Sequence, residues 1–480
     1  MLFASSLPLI AASCNKNSEK PVDKPADKPV DMPSDTPSDM PSDQGDQNSA
    51  PKIIKTDISK LKLDITSTNN TSKNDVLEAL KKQEGLENLT ESDFDFKIQK
   101  RALLNREGKI VVKAAERSEI IEGAISLSIE RLKSVVAREH KYNHDKTEVI
   151  EIGYDQNGKI KKFDKKVKKV PAVLPEEVIN LDWAFDRNLN ETITNLDKWD
   201  TSNVESMNKT FFEAKKFNTD ISGWNTGNVK NMGYMFALAE KFNQNLDKWN
   251  TANVTSMNRM FQQAASFNGN ISKWDTKNVK DMSYMFDRAR SFNGDISLWN
   301  VDNVTTMERM FYEAKKFNKP IFKLVSPKVT NLDYMFYGAS KFNDKNITEW
   351  NTSSVVTINA MFRDAIEFNQ DLSKWKTGQI KIMSSAFSGA NNFNGSLKGW
   401  DTSNVTTMKE MFFNAKSFNQ DVGNWDVKNV TDVTRMFFGA GSFNKSLKSW
   451  KFNKKPTHDQ FHNGSGLTDN LPTFEVTKAK

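Results

Sequence analysis

Residues 274–298 read WDTKNVKDMSYMFDRARSFNGDISL, and variants of this 25-residue unit fill more than half of the chain. Trp199, Trp224, Trp249, Trp274 and Trp299 stand 25 residues apart, and Trp350, Trp375, Trp400, Trp425 and Trp450 keep the beat after one interval of 51 residues. That interval holds two units, with Leu324 at the tryptophan position and one residue inserted. A fixed period of this size marks an array whose units bury their apolar faces on one another. Ten copies run from Trp199 to Ser449, and a degenerate eleventh covers 174–198.

Inside the unit, Met282, Met285, Phe286 and Ala289 fall at i, i+3, i+4 and i+7, which predicts one face of a short helix. Asp281 precedes it as an N-cap, and Ser206, Asn231, Ser256, Thr306, Asn331, Thr357, Thr407 and Asp432 take that place elsewhere. Only Ile382 breaks the rule. Two turns of helix are unstable alone, so stability must come from stacking. Val279, Phe292, Ile296 and Trp299 complete the apolar set, and Ile296 is expected in a short strand paired in parallel with its copies. The tryptophans read as core, because Leu324 replaces one of them with an apolar residue. The expected fold is an α/β, leucine-rich-repeat-like solenoid of about eleven coils.

One asparagine recurs in all ten copies: Asn218, Asn243, Asn268, Asn293, Asn318, Asn343, Asn369, Asn394, Asn419 and Asn444. Such constancy predicts a buried structural ladder whose amides join backbone groups of adjacent coils. Losing a buried partner costs about 1–3 kcal/mol. The polar residues two to five of each unit vary more and are expected to form any binding or antigenic surface. The segment Pro320 to Pro327 reads as a bend in the array, with a local apolar docking patch as the alternative.

The rest of the chain divides by composition. Residues 1–14 are apolar and end in Ala11-Ala12-Ser13-Cys14, which resembles a bacterial lipoprotein signal with Cys14 as the lipidation site. No Lys or Arg precedes the apolar stretch, a departure from that pattern. Residues 15–51 place proline at every fourth position from Pro21 to Pro41 and read as a disordered Pro/Asp/Lys-rich tether. Residues 52–135 predict a small α+β domain: a helix over Asp75–Lys82 capped by Ser72, then strands at Phe94–Ile98, Lys109–Val112 and Ile125–Ile129. Residues 136–173 form a linker and a capping hairpin that turns at Asn157-Gly158. The solenoid spans 174–450, and 451–480 is a C-terminal cap or tail.

The repeat resembles BspA-like leucine-rich repeats. It is closer to a mycoplasma-type surface lipoprotein repeat, W-[DN]-T-x-N-V-x-x-M-x-x-M-F-x-x-A-x-x-F-N-x-[DN]-I. The phrases Asp75 to Leu80 and Asp93 to Phe96 resemble the small N-terminal domain of such lipoproteins. The resemblance implies a cell-surface protein and no catalytic residues.

Chemistry-bearing patterns are few. No Ser/His/Asp set, glycine-rich phosphate loop or HExxH motif is present, so neither catalysis nor a small-molecule substrate is expected. Cys14 is the single cysteine, and the pairs His140/His144 and His458/His462 lack a third ligand, so no metal or cofactor is expected. A net charge of +7 against 68 basic and 61 acidic residues describes a mixed surface, and no nucleic-acid partner is expected. The function expected is a surface lipoprotein, held to the extracellular face of the membrane by a lipid anchor, that binds a host protein or glycan as an adhesin. The alternative is a passive structural or antigenic coat.

Overall fold

The computed structural model describes residues 53–322 and 325–475. The signal stretch with Cys14, the tether and Leu324 lie outside the described residues.

A small sheet-and-helix body comes first. Its elements are β1 (Thr56–Asp57), α1 (Lys73–Lys81), β2 (Phe94–Lys100), β3 (Gly108–Ala114), β4 (Ile121–Glu122) and β5 (Ala124–Ile129). β3 lies between β2 and β5 in one antiparallel sheet, and β1 pairs with β4 in parallel. Alternation explains the sheet: Ile110 and Val112 point inward with Phe94 and Leu127, against Val76, Leu77 and Leu80 of α1. Ser72 and Asp75 close a reciprocal capping box at the start of α1, as the sequence predicts for Ser72. Asn105 Nδ2 donates to Asn203 O at 3.0 Å and Arg106 Nη1 to Asn203 Oδ1 at 2.6 Å, which ties this body to the repeats.

The expected hairpin between 149–154 and 159–163 is reduced to one antiparallel bridge, Tyr154 to Ile160. β7 (Val149–Glu151) pairs instead with β6 (Lys141–Tyr142), and Glu148 bridges Lys169 in parallel. The apolar residues of this segment, Ile152, Tyr154, Ile160 and Phe163, join the core of the repeats. They cover the first repeat's apolar end, as a terminal unit must. His140 stacks on Phe163 at 4.3 Å, accepts from Gly153 N on Nδ1 and lies 2.8 Å from Lys161 O through Nε2.

The repeats depart from the expected α/β form. None contains an α-helix among the described residues, and Asp281 and its equivalents cap none. The stretch 282–289 is three overlapping β-turns: Met285 N donates to Met282 O at 3.3 Å, Asp287 N to Tyr284 O at 3.1 Å and Ala289 N to Phe286 O at 3.0 Å. The third residue of the first and last of these turns is left-handed, with φ of 57° at Tyr284 and 56° at Arg288. The N–H groups between them reach the next repeat: Tyr284 N donates to Glu308 O, Phe286 N to Met310 O and Arg288 N to Tyr312 O. Every other amide thus closes a turn and the rest join neighbours, which satisfies the backbone without a helix.

Nor does Ile296 sit in a strand. The parallel bridges run one residue per repeat at the expected cap position, Asp281 to Thr306 for example, with Thr305 N donating to Lys280 O at 2.8 Å. The polar residue there still turns the chain, since Asp281 Oδ1 accepts from Ser283 N at 2.9 Å. The interior is stacked aromatics. Phe261, Phe286 and Phe311 lie 5.7 and 5.5 Å apart, and each phenylalanine also stacks on the second one of its own repeat, as Phe286 does on Phe292 at 3.9 Å. Trp249, Trp274 and Trp299 follow at 6.4 and 6.1 Å. Each of these tryptophans is buried and donates Nε1 to a carbonyl 28 residues earlier, as Trp274 does to Leu246 O at 2.8 Å.

At the irregular interval Ile321, Phe322 and Val325 are buried, and Phe322 stacks on Trp350 at 5.4 Å. These apolar residues pack inward, so the segment exposes no docking patch through them. The extra residue is accommodated in a short 3-10 turn at Lys345–Glu349.

Candidate interaction surface

Counting each repeat from its tryptophan, residues 11 and 14 are Tyr284 and Asp287 in the unit quoted above. The left-handed turns place them beside the buried Met285 and Phe286, with Tyr284 half-buried and Asp287 buried at the edge of the core. Down the array, residue 11 alternates between cation and aromatic: Lys209, Tyr234, Arg259, Tyr284, Arg309, Tyr334. The cations lie over the rings, with Lys209 Nζ 4.7 Å from Tyr234, the Arg259 guanidinium 4.1 Å from Tyr284 and that of Arg309 5.2 Å from Tyr284. Trp183 begins the column in the degenerate first unit, under Lys209 at 4.2 Å.

Residue 14 adds Tyr312 and Tyr337, whose rings stack at 4.5 Å, and the Arg309 guanidinium lies 3.9 Å from Tyr312. Five of the chain's seven tyrosines therefore stand in these two columns, within repeats that begin at Trp224, Trp299 and their neighbours. Tyrosine and arginine are the residues that carry binding energy at protein surfaces, and lysine is not. Apart from Lys209, the lysines of the ten repeats lie at other positions.

A costly charge lies at the centre. Asp287 is fully buried. It takes one hydrogen bond, from Gln262 Nε2 at 3.3 Å, and lies 3.5 Å from Arg309 Nε and 3.7 Å from Arg288 Nη1. Its Oδ1 has no hydrogen-bond partner among the described residues. Burial pushes its carboxyl above the usual range, although Arg309 and Arg288 pull it down. The Tyr284 hydroxyl donates to Glu308 Oε1 at 2.9 Å, and burial raises it, with Glu308 adding to the effect. Asp333 is raised by burial against the hydrogen bonds of Thr357 and Asn359. Strained, desolvated ionisable groups gathered in one place are a physical pointer to a functional region.

The predicted asparagine ladder has a different setting from the one expected. Asn218 Oδ1 accepts from Asn243 N at 2.9 Å, Asn243 from Asn268 N, Asn268 from Asn293 N, Asn293 from Asn318 N and Asn318 from Asn343 N. The series continues through Asn369, Asn394 and Asn419 to Asn444. None of the ten is buried; all are half-buried or exposed. The constraint is geometric: the side chain must reach an amide one repeat away, and that amide lies at the surface.

Among the polar residues two to five, residues two and four are half-exposed or exposed in nearly every repeat, while several of their neighbours are committed to bonds within the array. Thr276 Oγ1 donates to Asn300 O at 2.7 Å, Asn278 Nδ2 to Ala252 O at 2.7 Å, and Asp275 Oδ1 accepts from Lys277 N at 3.1 Å. They hold repeats together. Residue 4 varies along the array, from Ser202 and Gly227 to Lys277 and Asp302, and so do residues 11 and 14, which sequence reading passed over. The alternation of Tyr and Arg at intervals of 25 from Tyr234 to Tyr334 was the signal that marks them. Cys14, the expected lipidation site, lies outside the described residues.

Among known proteins, the family model described as Mycoplasma protein of unknown function, DUF285, matches residues 179–271, 245–345, 323–398 and 372–474. A Spiralin domain model matches residues 54–129, the small sheet-and-helix body. The two matches support a mycoplasma-type surface protein built from repeats. No curated protein and no solved structure matches the chain.

Proposed function

The chain belongs to the Mycoplasma DUF285 family, whose model covers more than half of it, and from that premise we propose a lipid-anchored surface adhesin. In this reading the repeats form a solenoid that presents the tyrosine–arginine columns to an external protein or glycan. The observation that carries it is the concentration of Tyr234, Tyr284, Tyr312, Tyr334 and Tyr337 around Arg259 and Arg309. Packing does not require it, since the same turns elsewhere carry Ala360, Ser385 and Ser388. The Spiralin match beside the tether supports a surface location, and Cys14 after Ala11-Ala12-Ser13 supports an acyl anchor.

The test has two arms. In cells given labelled palmitate, the wild-type chain incorporates label and Cys14→Ala does not; equal labelling refutes the anchor. Residues 15–480 are then applied to arrays of extracellular-matrix proteins and glycans. Saturable binding that Tyr312→Ala/Tyr337→Ala abolishes supports the adhesin. Absence of saturable binding across the array favours the passive coat. That reading draws on one observation, that cations and rings in these columns already satisfy one another.

A further inference from the structure

A second surface stands near the N-terminal end of the repeats, independent of the tyrosine–arginine columns. Lys165, Arg187, Lys215 and Lys216 rim a depression of about 320 Å³ whose remaining lining is Asn188, Leu189 and Glu213. That volume lies within the roughly 300–1,000 Å³ of small-ligand sites. The floor is apolar, and Leu189 is 53% exposed, one of few large apolar residues left uncovered. The backbone holds the floor in place: Leu189 N donates to Lys165 O at 2.9 Å, and the buried Asn188 donates Nδ2 to Val167 O at 2.8 Å.

The charge on the rim is one-sided. Four cations face one acid, Glu213, which Arg187 engages at 2.7 Å. Lys215 reaches Glu240 at 3.2 Å. Among the described residues, Lys165 and Lys216 have no acid within ion-pair distance. Exposed Lys166 and Lys168 extend the basic track beyond the rim.

We propose that this depression binds a linear acidic polysaccharide, a sulfated or uronate-bearing chain. One sugar ring would lie with its apolar face on Leu189 and the lysine stems, and its acid groups would meet Lys165 and Lys216. Lysine suits diffuse sulfate and carboxylate charge, where arginine would mark a planar bidentate contact. Other polyanions fit less well. No lining residue is aromatic, so single-stranded nucleic acid finds nothing to stack on. A lipid surface is flat at this scale and would leave the depression and its apolar floor unused.

The full chain is measured against immobilised dextran sulfate and neutral dextran over a salt series. The wild type is expected to bind dextran sulfate alone, with affinity falling as salt rises. Lys165→Glu/Lys216→Glu is expected to weaken binding by about tenfold or more. The control Lys416→Glu/Lys448→Glu makes the same change in net charge at two exposed lysines far along the sequence and is expected to bind like wild type. Equal loss in both double variants, or none in the first, overturns the proposal. So does equally tight binding of the wild type to phosphatidylglycerol vesicles or single-stranded DNA.

Discussion

The interior columns and the turn-face columns of the repeats share one backbone and differ in how much they vary. Inside, Phe261, Phe286, Phe311 and Phe336 follow one another without substitution, as do Phe267, Phe292, Phe317 and Phe342. On the turn face, residue 11 passes from Tyr334 to Ala360, Ser385, Glu410 and Arg435 while its φ stays between 50° and 57°. The geometry of the turn is therefore set by the buried rings and the bonds to the next repeat, not by the residue displayed. That separation leaves the outer columns free to carry recognition, and in the middle repeats they carry tyrosine, arginine and a buried aspartate.

The comparison breaks most decisively at the interior. Phe286→Ala removes a fully buried ring stacked on Phe261, Phe292 and Phe311, and should cost about 3–5 kcal/mol in a denaturant melt. An unchanged midpoint would mean that the stack does not hold the array.

On the turn face, the largest effect should come from Arg309→Met, because it leaves the Asp287 carboxylate buried without its nearest cation. The expected loss is about 3 kcal/mol at neutral pH, and Asp287→Asn in the same chain should recover most of it. The sign with pH follows from the raised carboxyl. The folded state holds the Asp287 proton more tightly than the unfolded one, so this group's contribution is fully present below its ordinary value near 3.8 and is lost as pH rises through its raised folded value. Asp287→Asn should remove that part of the pH dependence. Additive losses in the double variant would show that the pair is not coupled.

Smaller effects probe the connection between the two sets of columns. Asn293→Ala deprives the Asn318 amide of its acceptor at a half-exposed site where water can replace it, so the cost should be about 1 kcal/mol. A loss as large as that of Phe286→Ala would return the ladder to the buried role first expected of it. The smallest change should be favourable. Gln263 holds a φ of 57° where other repeats place Gly338, Gly389, Gly439 and Gly464, and Gln263→Gly should stabilise by about 0.5–1 kcal/mol. A destabilised melt would mean that the glutamine side chain makes a contact the turn depends on.

Much of this was legible in the sequence. The period, the tryptophan core and the recurring asparagine follow from counting, and the helix and strands of the small body follow from Ser72 and the alternation at Phe94–Ile98. The helix expected over Met282–Ala289 failed for a physical reason. Apolar residues at i, i+3, i+4 and i+7 mark a helical face, but overlapping β-turns bury the same positions, which are the first and last residues of the outer two turns, 282–285 and 286–289. Glycine distinguishes them. Gly338, Gly389 and Gly439 recur at one position with φ of 64° to 70°, which no helix interior calls for. The tyrosine–arginine columns were missed because reading the units for what is constant hides the positions where they differ.

Circular dichroism in the far ultraviolet tests the central claim most directly, since left-handed turns rather than helices are what set the half-buried Tyr234, Tyr284, Tyr312, Tyr334 and Tyr337 on the turn face. The account predicts a spectrum for residues 53–475 with no more helix than the nine residues of α1 supply. A two-turn helix in each of ten repeats would place about 70 residues in helix at 3.6 per turn. A helical signal of that size would contradict the account.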